Sequence, residues 1–231
     1  IALHQVEDPS RYVAAELADD NRIRRFIEKP ARGAAPSNLI NAGVYVLSPK
    51  ILKYIPKGRA VSTEREVFPK LAEQGTLYGY VFDGLWTDIG KPEEYLQLNK
   101  TLLDSFVNQQ KCEKSAKAEA KNLVAFDKGV SIGENSDVGP YAVLGRNVVV
   151  GNNVHIHDSV IFPRVMIGDS SSIKGAIIGE RAIIGKGVKI RKGCVISDYT
   201  QIKDNVSLAE NVSVCPAKEV SESVLRPKCI Y

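Results

Sequence analysis

From residue 132 to residue 214 the apolar positions keep a six-residue beat. Ile132, Val138, Leu144, Val150 and Ile156 stand six apart, a five-residue step leads to Ile161, and the beat resumes through Ile167 and Ile173. A second short step reaches Ile178, and Ile184, Ile190, Ile196, Ile202, Leu208 and Val214 follow. Small or β-branched residues recur two positions earlier, among them Ser136, Ala142, Val148, Val154, Val165, Ser171, Ala182, Val188, Thr200 and Val206. A glycine or polar residue often comes just after, as at Gly133, Gly145, Gly168 and Gly185. A period of six is neither that of a helix nor that of an ordinary strand. It is the signature of a parallel β-helix, in which three hexads close one triangular coil, so about five coils are expected. Residues 123–215 are assigned to this solenoid, and residues 216–231 to a tail suited to covering its open end.

The first half follows different rhythms. Residues 1–6 read as a strand, and residues 12–29 as a hairpin turning at the short polar residues 18–21. Residues 39–47 have a buried-strand composition interrupted by Asn41 and Gly43. Ser48-Pro49 opens a short helix. Ser62 opens another through a capping-box-like entry, with Val67, Phe68, Leu71 and Ala72 inward and Gly75 at its end. Residues 77–82 read as a strand. A helix runs from Pro92 to about Asn108, with Tyr95, Leu98, Leu102 and Phe106 on its apolar face. Residues 1–108 thus form an α/β segment, and the lysine-rich residues 109–122 a linker or helix extension.

Three places in this segment could carry chemistry. The strand ending at Glu28-Lys29-Pro30 puts a carboxylate and an ammonium together where open α/β sheets bind ligands, although a solvated charged strand end reads the same way. Asn41 and Gly43 fit either a bulge or the approach of a ligand to the backbone. Asp88, in Trp86-Thr87-Asp88-Ile89-Gly90, has apolar neighbours and is expected to be partly enclosed, where a carboxylate needs a pair or a cation. It also fits a turn aspartate before a glycine. In the second half, His155 and His157 flank the inward Ile156 and should face outward as surface histidines.

The composition adds exclusions. A net charge of +4 over 231 residues, with no basic cluster interleaved with aromatics, does not favour nucleic acid. No apolar run is long enough to span a membrane, and no secretory leader precedes the first strand. The 4 cysteines include no Cys-x-x-Cys pair, so free thiols in a reducing cytoplasm are expected.

The order Val6-Glu7-Asp8-Pro9-Ser10-Arg11-Tyr12, Phe26-Ile27-Glu28-Lys29-Pro30, Asn41-Ala42-Gly43-Val44-Tyr45, Glu66-Val67-Phe68-Pro69 and Trp86-Thr87-Asp88-Ile89-Gly90, followed by a hexapeptide solenoid, resembles the sugar-1-phosphate nucleotidyltransferases. The likeness extends to the mannose-1-phosphate guanylyltransferases through Cys215-Pro216-Ala217-Lys218 and the nearby Pro227. It implies a partial, Rossmann-like nucleotidyltransferase domain followed by a left-handed parallel β-helix. It implies that Glu28 binds sugar hydroxyls, that Lys29 meets the sugar phosphate and acts in catalysis, and that Asn41 and Gly43 shape the sugar pocket. Arg59 would reach phosphate, and Asp88 would hold Mg²⁺. The substrates so implied are GTP and mannose-1-phosphate, giving GDP-mannose and pyrophosphate. A homo-oligomer built through the β-helix is the implied assembly.

Two departures qualify the likeness. The family motif continues Tyr-Gly where this chain has Tyr12-Val13, which narrows the approach to the sugar. The family's glycine-rich nucleotide loop has no counterpart here and belongs upstream of Ile1, so this stretch alone is expected to be inactive. Two other readings remain: a non-catalytic regulatory or assembly subunit of the same family, and a hexapeptide-repeat acyltransferase using His155 or His157.

Overall fold

The computed structural model describes residues 1–31, 33–112 and 123–231, and divides into two compact units, Ile1–Thr87 and Asp88–Tyr231. Most of the expected linker therefore lies outside the described residues. Helix formation continues through Cys112.

The first unit is built on a five-stranded sheet. Its strands are β1 (Ala2–Gln5), β2 (Val13–Leu17), β3 (Ile23–Glu28), β4 (Leu39–Asn41) and β5 (Tyr80–Val81), in the spatial order β3-β2-β4-β1-β5. The hairpin expected over residues 12–29 is β2 and β3, paired antiparallel with Val13 opposite Glu28. β4 runs antiparallel to both β1 and β2, and β5 is parallel to β1. The expected strand over residues 39–47 stops at Asn41. The Asn41 side-chain oxygen accepts the Gly43 N–H at 3.0 Å, and Gly43 takes φ +78°, so the chain turns out of the sheet.

The helical entry at Ser62 is wider than a capping box. Ser62 Oγ accepts the Arg65 N–H, the Ser62 N–H goes to Glu66 Oε1, and the Phe68 N–H reaches back to the Thr63 carbonyl. This π-type turn, Thr63–Val67, leads into α1 (Phe68–Glu73). Val67 and Phe68 are fully buried, and Phe68 packs on Ile23, Ala72 and Leu77 beneath the sheet.

The second unit opens with α2 (Pro92–Cys112). Its inward face keeps the half-buried Tyr95 and Leu98 of the expected stripe and departs from it in the second half. Leu103 is buried while Leu102 and Phe106 are exposed. Polar contacts to the solenoid set this departure. Lys100 meets Asp158 at 2.5 Å, Tyr141 donates to Asp104, and Tyr95 stacks on Phe162.

The solenoid is a left-handed parallel β-helix with sheets of 6, 5 and 7 strands. That is about one coil more than the ladder implied, because the strand Val124–Phe126 precedes it and the strands Glu219–Val220 and Cys229–Ile230 continue it into the tail. The ladder residues from Val138 to Val214 are buried in one continuous core. Three positions before each ladder residue the backbone turns through positive φ, at Asn135, Tyr141, Asn147, Asn153, Asp158, Arg164, Ser170, Arg181, Tyr199, Asn205, Asn211 and Ala217. Glycine takes this place at 129, 175, 187 and 193. These left-handed corners bend each coil, and asparagine tolerates them best among non-glycine residues. Buried hydroxyls fasten coil to coil. Ser171 Oγ donates to the Gly185 carbonyl and accepts the Val188 N–H, and Ser136 makes the equivalent pair of bonds to Gly151 and Val154. Ser159 Oγ accepts the Ala176 N–H of the next coil but donates within its own coil, to the His157 carbonyl. Gly168 lies so close to the next coil that a Cβ there would come within 2.7 Å of the Gly185 carbonyl carbon.

Candidate functional site

In the first unit the π-type turn gathers two of the expected site residues. Arg65 donates from Nε to Glu28 Oε2 and from Nη2 to Glu28 Oε1, both at 2.6 Å. The adjacent Glu64 accepts from Asn41 Nδ2 at 2.8 Å and from the Tyr45 hydroxyl at 2.9 Å on the same oxygen. Asn41 Nδ2 also lies 2.8 Å from the Tyr45 hydroxyl. Consecutive residues of one turn thus hold the ends of β3 and β4. Wide π-type turns recur at functional sites because they redirect side chains that a regular helix would space evenly.

The electrostatics follow from these bonds. The Arg65 guanidinium holds the Glu28 carboxyl below its usual range. Burial, with smaller help from Glu64, pushes the Tyr45 phenol up, so it remains a donor at neutral pH. Asn41 is 8% exposed and its amide is engaged on both sides. Its role is therefore to shape the wall rather than to present an open amide.

Lys29 follows Glu28 on an exposed turn with φ +46°, its N–H given to the Tyr12 carbonyl at 2.9 Å. Gly43 faces open space, with nothing within 4 Å of where a Cβ would stand. Arg59 is exposed and donates to Glu66 Oε2 at 2.6 Å. Trp86 closes the other flank of β1. Its indole N–H donates to the Ala42 carbonyl at 3.1 Å, and its ring packs near His4 and Tyr12.

Asp88 belongs to the second unit and is exposed, as is Ile89 beside it, which corrects the expectation of an enclosed carboxylate. The segment from Leu85 to Gly90 forms no regular element that could cover it. Asp88 and Glu94 both approach Gly90, whose N–H donates to Glu94 Oε2 at 3.0 Å. Mg²⁺ binds through one or two carboxylates, with waters and substrate phosphates completing its shell. An exposed Asp88 fits such a shared shell.

Sequence reasoning missed Glu64, Arg65 and Tyr45. An acidic residue in a first helical turn has a sufficient explanation in the helix dipole, so nothing marked Glu64 as a partner of Asn41. Tyr45, four residues after Asn41 in the same segment, was the available signal.

A nucleotidyl transferase family model matches residues 1–105, and a model described as the GMPPB C-terminal domain matches residues 120–230. The chain is 31% identical over 180 residues to mannose-1-phosphate guanylyltransferase 1 of Arabidopsis thaliana, covering 78% of this chain and 49% of that protein. It is 45% identical over 97 residues to mannose-1-phosphate guanylyltransferase catalytic subunit beta of Danio rerio, covering 42% of this chain and 26% of that protein. The Drosophila pseudoobscura pseudoobscura protein of the same name is 37% identical over 134 residues, covering 58% of this chain and 35% of that protein. The chain spans about half the length, or less, of these relatives. The fold and the matches define a nucleotidyl transferase segment joined to a β-helix. The relatives it resembles carry the name mannose-1-phosphate guanylyltransferase.

Proposed function

We propose that this chain serves in the formation of GDP-mannose and pyrophosphate from GTP and mannose-1-phosphate, and that its first unit holds the sugar phosphate. The observation that carries this reading is the pair of ties from one turn, Arg65 to Glu28 and Glu64 to Asn41. A carboxylate held by arginine keeps a lone pair on each oxygen, so Glu28 can still accept from sugar hydroxyls. Lys29 is exposed beside it and supplies a point charge for the phosphate. Gly43 leaves room for the ring to approach the backbone.

In this reading the sugar-phosphate oxygen attacks the α-phosphorus of the nucleotide, and the pyrophosphate leaves from the opposite side. Such chemistry depends on alignment and on neutralising the phosphate charge rather than on a covalent protein nucleophile. Lys29 offsets the negative charge of the attacking phosphate, and Glu28 fixes the ring that carries it. Mg²⁺ held at Asp88 would offset charge on the phosphates. The test is an assay of the complete gene product with GTP, mannose-1-phosphate and Mg²⁺. GDP-mannose formed by the wild type and lost in Lys29→Ala supports the reading, and no nucleotide sugar with any pairing of nucleotide and sugar phosphate sinks it.

One observation favours a second reading, a non-catalytic regulatory or assembly subunit. Val13 stands directly opposite Glu28 in the hairpin, and its side chain takes space that a glycine would leave to the sugar. Under this reading the complete gene product binds mannose-1-phosphate weakly and forms no product.

A further inference from the structure

Two of the chain's 3 histidines stand on one short strand of the solenoid. His155 and His157 lie on either side of the fully buried Ile156, so both project from the outer face. His155 pairs in register with Asp137 on the neighbouring coil. The residue that would follow in the same register opposite His157 is Gly139, which has no side chain to block the imidazole. The donor atoms of Asp137, His155 and His157 all lie within 4.8 Å of one another.

The pair His157 and Asp137 is informative by its spacing. Nε2 and Oδ2 are 3.6 Å apart, too far for a hydrogen bond. Two donors bound to one tetrahedral Zn²⁺ at about 2.0–2.1 Å stand roughly 3.4 Å apart. The imidazole and the carboxylate therefore already have the separation of two ligands around an ion. His155 closes the third corner by a side-chain rotation, which its exposed position allows.

The geometry points to a divalent metal site on the solenoid, with His155, His157 and Asp137 as its ligands. Two imidazoles and one carboxylate suit a borderline ion of the Zn²⁺ class rather than Mg²⁺ or Ca²⁺, which prefer all-oxygen shells. Three protein ligands leave a fourth position open, and the exposure of Asp137 and His155 directs it to solvent for a water or small anion. The ion would join two successive coils. Lys174 sits beside His157 in register on the following coil, and its positive charge opposes the ion.

The test uses chelator-treated full chain titrated with Zn²⁺ by calorimetry and with Co²⁺ by visible absorption. The expected result is one saturable site with micromolar or tighter affinity, the absorption of low-coordinate Co²⁺, and no competition from excess Mg²⁺. Asp137→Asn, His155→Gln and His157→Gln each weaken binding by at least about tenfold. Lys174→Ala tightens it. Cys215→Ser with Cys229→Ser leaves it unchanged, which separates this site from thiol binding. Circular dichroism checks each fold, and His155→Gln alters only an exposed side chain, so a folding defect elsewhere does not remove the test. Absence of saturable binding, binding that survives both histidine replacements, or binding lost with the two cysteines overturns the proposal. The site shares no residue with the sugar-phosphate reading, so its failure leaves that reading intact.

Discussion

Arg65 and Glu28 meet through two parallel hydrogen bonds of 2.6 Å, a planar fork facing a planar carboxylate. Lysine can deliver the charge but not the second directed bond. Arg65→Lys is therefore expected to weaken mannose-1-phosphate binding several-fold, and Glu28→Ala by about tenfold or more, read by calorimetry on the complete gene product. Equal affinity in all three proteins would remove Glu28 from the site.

The same pair has a pH signature. Glu28 titrates below its ordinary range because Arg65 bonds its ionised form. Its contribution to stability is thus fully present above the ordinary carboxylate range and is lost as pH falls through the lowered folded value. In Arg65→Met the Glu28 carboxyl should return toward the ordinary range, as followed by NMR titration of a carboxyl-labelled sample. A Glu28 titration that does not move would show that Arg65 is not the cause.

Val13, where the chain departs from the motif it otherwise resembles, lies opposite Glu28. Val13→Gly should lower the Kd for mannose-1-phosphate several-fold by opening space. It should also cost about 0.5–1 kcal/mol of stability, since glycine loses more chain entropy in a strand. Tighter binding with a lower melting temperature is the expected combination, and unchanged binding would mean that the valine does not restrict the site.

The solenoid core should respond to a single truncation. Ile184 is 1% exposed within the stacked ladder, and Ile184→Ala is expected to destabilise by about 2–5 kcal/mol. Gly168→Ala should also destabilise, by about 1–3 kcal/mol, because its Cβ meets backbone rather than a flexible side chain. Denaturant titration monitored by far-UV circular dichroism measures both.

Thiol reactivity separates two cysteines of the solenoid. Cys194 is buried, and burial pushes its thiol up in pKa, whereas Cys229 is exposed. Alkylation followed by peptide mass spectrometry should label Cys229 first and Cys194 only as the coils open.

The solenoid was legible because one residue class repeats at one spacing, so Ile156 or Ile190 could be placed inward with no knowledge of its neighbours. The left-handed corners were not legible from residue type. Tyr199, Arg181 and Ala217 take the same backbone as Asn205, imposed by coil closure rather than by local preference. Leu103, not Leu102, is buried on α2 because Lys100 and Asp104 find partners on the solenoid, and pattern alone carries no information about those partners. Glu28, Lys29, Asn41 and Gly43 were found as candidates through motif order. The partners of Glu28 and Asn41 were hidden because Glu64 and Arg65 read as ordinary charges at a helix start.

The two five-residue steps of the ladder, Ile156 to Ile161 and Ile173 to Ile178, lie directly on one another, since Ile156 pairs with Ile173 and Ile161 with Ile178. Their shortened corners are also bonded, the Gly175 N–H to the His157 carbonyl at 3.0 Å. Six-residue corners flank this pair, from Val138 to Leu144 on one side and from Ile190 to Ile196 on the other. They are bonded to it in the same way, the Asp158 N–H to the Pro140 carbonyl at 3.0 Å and the Gly193 N–H to the Gly175 carbonyl at 2.8 Å. Corner length thus changes from one coil to the next without loss of the bond between corners, and a single residue inserted after His157 should be tolerated.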